Sequence, residues 1–196
     1  MDVVLEMPIV SRYHVSEQDQ QVELDIIESA KHTPEKFAPI YEKYYESIFR
    51  FVHKRIDDRD GALDITSQVF LKALSNLKKY SYKGVPFSSW LYRIAHNELV
   101  TFIKKNEEKR CVNIDSVGVH EMADDIDSAL VEKQYEKLIE TVSDLPEEDL
   151  QLIEMRFFEK RSFKEIGEIL DITENNAKVK TYRVLDKLKT LITTRK

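Results

Sequence analysis

The chain has 196 residues, a net charge of −6, 34 % charged residues and only 4 Gly and 5 Pro. So few turn formers among so many helix-compatible charged side chains predict an all-α fold, and the length allows two small domains. The single Cys111 excludes an internal disulfide, the five scattered histidines lack metal-ligand spacing, and Glu6 and Pro8 interrupt the stretch VVLEMPIV, so no signal peptide or membrane span is expected.

The acidic total hides an uneven distribution. Lys78 to Arg110 carries eight Lys/Arg against three Asp/Glu, and Lys160 to Lys196 carries ten against five. Cys111 to Leu150 between them carries two Lys against twelve Asp/Glu. Two basic modules flanking an acidic connector suit two separate contacts with phosphate; ordinary solvated helix faces are the plainer reading.

In chain order, residues 1–35 read as a flexible N-terminal arm with one helix around Val22 to Ala30. Phe37, Ile40, Tyr41, Tyr44, Ile48, Phe51 and Val52 then recur at helical spacing, until Asp57, Asp58 and Gly61 break the pattern. A second helix is predicted from about Ala62 to Leu77, with Ala62, Ile65, Val69, Ala73 and Leu77 inward. A third runs to Lys104, capped by Ser88 or Ser89, with Leu91, Ile94, Ala95, Leu99 and Phe102 inward. Between them, residues 80–87 interleave Tyr80, Tyr82 and Phe87 with Lys83, Gly84 and Pro86, a composition suited to stacking an unpaired base and holding its phosphate. Burial in a core is the favoured reading for Trp90 and Tyr92.

Residues 111–130 form an acidic linker. Its Asp124, Asp125 and Asp127 are read as a solvated connector rather than a cation site. A helix follows through Val131, Tyr135, Leu138 and Val142. The next starts at Pro146 with acidic residues in its first turn and buries Leu150, Ile153 and Phe157. Ser162 and Glu165 form a capping box that opens a short helix, and Asp171, Ile172 and Thr173 end it before a longer helix to about Ile192. That is a helix-turn-helix pattern, whose alternative is a plain two-helix corner. In the longer helix Ala177, Thr181, Val184, Leu188 and Leu191 face inward. Asn175, Asn176, Lys178, Val179, Tyr182 and Arg183 face out, with Lys180 at the edge. Such a helix presents Asn and Arg to base edges and Lys to phosphates.

The segment LPEEDLQLIEMRFFEKRSFKEIGEILDITENNAKVKTYRVLDKLKTLI resembles the C-terminal promoter-binding domain of sigma factors. The resemblance implies minus-35 recognition by Asn175, Asn176, Lys178, Lys180, Thr181 and Arg183. It departs from the family pattern at two positions: Asp171 replaces the usual turn Gly, and Gly167 replaces the usual Ala. Asp tolerates a left-handed turn, and Gly167 is expected to weaken its helix by about 1 kcal/mol relative to Ala.

DITSQVFLKAL and FSSWLYRIAHNELVTFIKK resemble the core-binding and promoter-opening segments of the N-terminal sigma domain. This implies that Asp64, Gln68 and Phe70 dock on the polymerase clamp, with core burial the competing reading for Phe70. It also implies that Tyr80, Lys83, Trp90, Arg93, His96, Asn97 and Lys104 lie toward minus-10 DNA. Trp90-Leu91 stands where primary sigma factors place two tryptophans, which implies weaker strand melting, and His96 and Thr101 replace the group's usual Arg and Asp.

The short connector resembles the extracytoplasmic-function (ECF) group. The expected protein is therefore a two-domain, all-α sigma factor with domains at 36–110 and 131–196. Its expected partners are core RNA polymerase, promoter DNA and an anti-sigma factor. It is expected to be monomeric when free, cytoplasmic and nucleoid-associated, without cofactor, metal or catalytic activity. The alternative is a stand-alone helix-turn-helix regulator, which would need a dimer interface to span half-sites about 34–36 Å apart.

Overall fold

The computed structural model describes residues 17–56, 58–106, 122 and 135–194. Residues 1–16 of the arm expected over 1–35, the acidic linker apart from Met122 and including its three aspartates, and Val131 lie outside the described residues. Every regular element among those described is helical.

Helix α1 (Glu17–His32) extends the helix expected around Val22 to Ala30 at both ends, and a 3-10 turn (Pro34–Phe37) links it to α2 (Ala38–His53). It packs on α2 through buried Ile27 and Ala30. Its buried Glu23 accepts hydrogen bonds from Tyr44 at 2.7 Å and from Lys43. Burial, and next the Glu23 carboxylate, push the Tyr44 phenol well above its ordinary pKa.

Helix α3 (Arg59–Asn76) begins before the expected Ala62, because the Asp58 side chain caps it by accepting from the Asp60 amide at 3.0 Å. Gly61, expected to break the chain, lies buried in its first turn. A Cβ there would stand 2.8 Å from the Phe102 ring and 2.5 Å from Asp58 Oδ2. Helix α4 (Phe87–Asn106) starts at Phe87 after Pro86, so Ser88 and Ser89 are buried first-turn residues and do not cap it as expected. Ile48, Val52, Ala62, Val69, Ala73, Leu91, Ala95 and Leu99 fill the core between α2, α3 and α4. Each large apolar side chain so buried contributes about 1.5–3 kcal/mol.

The second module contains α5 (Tyr135–Ser143), α6 (Glu147–Ile153), α7 (Phe163–Leu170) and α8 (Glu174–Thr194). Glu147, Glu148 and Asp149 lie in the first turn of α6, as Pro146 predicts. The helix then continues as a π-helical turn (Glu154–Phe158) that no sequence signal announces. The Ser162–Glu165 capping box is formed. Asp171 takes the left-handed conformation at φ 57°, as its place in the turn requires. Ala177, Val184, Leu185, Leu188 and Ile192 of α8 are buried; Leu185 and Ile192 take the inward places with Leu191 only half-buried.

Candidate nucleic-acid and polymerase interfaces

The exposed side of α8 follows from its capping. Thr173 Oγ1 accepts from the Asn176 amide at 3.2 Å, which fixes the start of the helix and the direction of its first turns. Asn175, Asn176, Lys180 and Arg183 are exposed, and Lys178 is half-buried. Val179 and Tyr182 lie on the same surface. Thr181 does not. It is 1 % exposed, and its hydroxyl donates to the Ala177 carbonyl at 2.9 Å. The helical repeat that carries Ala177 and Val184 inward carries Thr181 with them, which corrects the expectation that it faces DNA.

Gly167 has a different consequence from the one expected. A Cβ at this position would lie 2.8 Å from the Ile172 carbonyl oxygen and 3.2 Å from the Glu174 amide. The absent side chain lets the turn between α7 and α8 close tightly onto α7, so the glycine serves the turn while it costs the helix.

In the first module, Asp64 and Gln68 are exposed one helical turn apart on α3. Phe70 is 4 % exposed and packs edge-on against Tyr41, with ring centroids 4.8 Å apart. It is a core side chain, which corrects the expectation that it docks directly. Leu71 beside it is 60 % exposed and was not singled out from sequence.

The loop between α3 and α4 hangs on aromatic contacts. Tyr80 packs on Phe87 and Trp90, with centroids 4.9 and 5.1 Å apart. It is nearly buried, and that burial pushes its phenol above the ordinary range. Helix α1 braces the loop from the other side. Lys31 donates to the Tyr80 carbonyl at 3.0 Å, and Gln20 donates to the Tyr82 hydroxyl at 3.0 Å. Under the loop lies a cavity of about 400 Å³, with Tyr80 and Trp90 as its aromatic wall and Lys79, Lys83, Arg93 and Asn97 around it. Lys72, Asn76 and Glu98 also line it and were missed from sequence. His96 lies apart, in a cleft of about 510 Å³ that also contains Lys180 and Arg183. Lys104 is exposed near the end of α4.

The two modules close on each other. Glu168 of α7 reaches Lys83 at 2.9 Å and Arg93 at 3.4 Å, Asp171 reaches Arg93 at 2.8 Å, and Lys164 donates to the Gly84 carbonyl at 2.7 Å. Deeper in, Arg55 at the end of α2 binds Glu154 at 3.1 Å and also Glu159, all three well shielded from solvent. Arg161, fully buried, lies 3.8 Å over the Tyr92 ring and donates to Glu159 at 2.8 Å. Burial alone would raise the Glu159 carboxyl, but Arg55 and Arg161 outweigh it and hold it below the usual carboxylate range. Burial likewise works against the Arg55 charge, yet Glu159 and Glu154 leave its pKa raised.

A helical bundle with an aromatic, base-rimmed cavity, followed on the same chain by a helix-turn-helix, defines a bipartite promoter-binding protein. Residues 40–109 match sigma-70 region 2 and residues 142–190 match sigma-70 region 4. The chain belongs to the sigma-70 family, in its ECF group, and is an RNA polymerase sigma factor whose partners are core RNA polymerase and promoter DNA. The region 2 match disfavours a stand-alone regulator.

The chain is similar to ECF RNA polymerase sigma factor BldN of Streptomyces coelicolor, with 24 % identity across 92 % of this chain and 70 % of BldN. It is also similar to SigM of Bacillus subtilis, with 25 % identity across 78 % of this chain and 92 % of SigM. Among solved structures it shares the fold of CnrH, determined in complex with the cytosolic domain of CnrY. That likeness has a TM-score of 0.56 at 15 % identity and covers 87 % of this chain and 97 % of the other. Sigma factors act with RNA polymerase in the cytoplasm, and no helix among the described residues is long and apolar enough to cross a membrane.

Proposed function

We propose that this sigma factor reads the minus-35 element with Asn175, Asn176, Lys178, Lys180 and Arg183 of α8, and that Asp64 and Gln68 of α3 contact the polymerase. The cavity under the loop at Tyr80 receives an unpaired base of the minus-10 element. Tyr80 and Trp90 supply its stacking wall, while Lys83, Arg93, Asn97 and Lys104 hold the strand. The observation that carries this reading is the cavity itself: an aromatic wall beside cations, on a module separate from the helix-turn-helix. Stacking a base on an aromatic side chain contributes about 1–3 kcal/mol, enough to offset much of the cost of leaving the duplex. Because Glu168 sits on Lys83 and Arg93, a strand enters only after α7 has moved aside.

His96, on the cleft beside Arg183, serves the minus-10 strand only from its margin. The domain limits that accompany this reading are 36–110 and 131–196, with α1 as a brace of the first. The protein acts without catalysis of its own, as a monomer until polymerase binds, on the nucleoid, and under an anti-sigma factor. CnrH, whose solved complex contains the cytosolic domain of CnrY, supports that last assignment. Permanganate footprinting on a promoter for this factor tests the opening step: holoenzyme should render minus-10 thymines reactive, and Trp90→Ala should abolish that reactivity while minus-35 protection persists. Full reactivity with Trp90→Ala would overturn the assigned role of the cavity.

A further inference from the structure

Helical spacing builds one wall of the loop cavity from Trp90, Ile94 and Glu98, which recur every fourth residue on α4. Lys72 and Asn76 of α3 face them across the cavity. An aromatic and an aliphatic side chain therefore lead to a carboxylate. Glu98 is well shielded, with 16 % of its side chain exposed, whereas Lys83 is 53 % exposed. Lys72 donates to Glu98 Oε1 at 2.6 Å, which leaves Oε2 as an acceptor. Asn76 donates one amide N–H to the Lys72 carbonyl at 2.9 Å and keeps its second N–H and its side-chain oxygen, so the acceptor character of this wall comes from Glu98.

A base that enters with its sugar outward, its phosphate on Lys83 and Arg93, leads with the group farthest from the glycosidic bond. In a pyrimidine that is the 4-substituent, and in a purine the 6-substituent lies toward the same end. Cytosine and adenine carry an amino donor there; thymine, uracil and guanine carry a carbonyl. Opposite a carboxylate, the amino group makes a charge-assisted hydrogen bond, whereas a carbonyl oxygen places two acceptors face to face.

We propose that Glu98 is a specificity-determining residue of the base-capture cavity, and that it selects an amino-bearing base, cytosine or adenine, over a keto base. This rests on the strand-capture reading given above. Glu98 leaves the cavity's stacking wall and its phosphate-binding cations unchanged, so its effect is on which base is held and not on whether the strand is held.

The test measures fluorescence anisotropy of labelled DNA octamers with holoenzyme assembled from this chain and core polymerase, with core polymerase alone as background. Octamers of deoxycytidine and deoxyuridine match in ring size and differ along the base-pairing edge, where an amino group replaces the keto group at position 4. Wild-type holoenzyme should bind the deoxycytidine octamer at least fivefold more tightly. Glu98→Gln, which adds an amide donor at nearly constant size, should bring the two within twofold while binding of the protein to core polymerase stays unchanged. If neither octamer binds above the background, the strand-capture reading fails and the role of Glu98 falls with it. If both bind equally to the wild type, or the preference survives Glu98→Gln, strand capture stands and the role of Glu98 is overturned.

Discussion

Replacing Arg55 by alanine removes the guanidinium just past α2 that binds both Glu154 and Glu159 across the two modules. The guanidinium also donates to the Phe51 carbonyl at 2.8 Å and covers the Phe51 ring at 3.8 Å, so it is held in place from its own helix. Breaking a buried pair by removing one partner costs about 3–5 kcal/mol, because the carboxylates left behind stay desolvated. The more exposed bridges from Glu168 to Lys83 and from Asp171 to Arg93 contribute about 0–1 kcal/mol each and cannot substitute. Arg161 still serves Glu159, which favours the lower end of the range. A loss of 3 kcal/mol shifts the closed-to-open balance by about two orders of magnitude. Small-angle X-ray scattering of Arg55→Ala should therefore give a larger radius of gyration than the wild type. Unchanged helicity by circular dichroism distinguishes opening from unfolding. A scattering profile and melting temperature that both match the wild type would refute the reasoning.

Four further outcomes follow from the same geometry. Arg183→Ala should weaken minus-35 binding by about 1–3 kcal/mol, the range for a bidentate base contact, with binding to core polymerase unaltered in a mobility-shift assay. Asp64→Ala should weaken association with core polymerase, measured by surface plasmon resonance, and leave the affinity of the isolated protein for minus-35 DNA unchanged. Gly167→Ala should lower the melting temperature: helix propensity gains about 1 kcal/mol, but the added Cβ meets the Ile172 carbonyl at 2.8 Å, and overpacking of that kind costs about 1–3 kcal/mol. The closed arrangement should also loosen in acid. Because the Glu159 carboxyl is held below its usual range in the folded protein, its stabilisation is full above the unfolded value of about 4.3 and is lost as pH falls through the lower, folded value. The radius of gyration should stay constant from pH 7 to about pH 5 and increase only at lower pH.

What could be read in advance was local. The Ser162–Glu165 capping box, Pro146 ahead of three acidic residues, and the left-handed Asp171 are each set by neighbours within four residues, and the structure has all three. Helical spacing also held its own evidence against two site assignments. Thr181 falls in step with Ala177 and Val184, and Phe70 lies next to Val69 on a core-facing turn; in both, periodicity was a better guide than family resemblance. The closure of the modules was illegible because its partners are far apart in the chain: Arg55 and Glu159 are 104 residues apart, and Lys83 and Glu168 are 85 apart. The cavity was half legible. Its aromatic and basic loop stands out in sequence, whereas Lys72, Asn76 and Glu98 join it only once α3 lies against α4. The tight approach that Gly167 permits is likewise a property of the assembled turn, invisible to a propensity scale.

Run-off transcription with core RNA polymerase of the source bacterium, on candidate promoters, tests the central claim most directly. Core polymerase alone should yield no specific transcript, and addition of this protein should yield one of defined length that Asp64→Ala and Arg183→Ala each reduce. Failure to bind core polymerase, with DNA binding retained, would contradict the account.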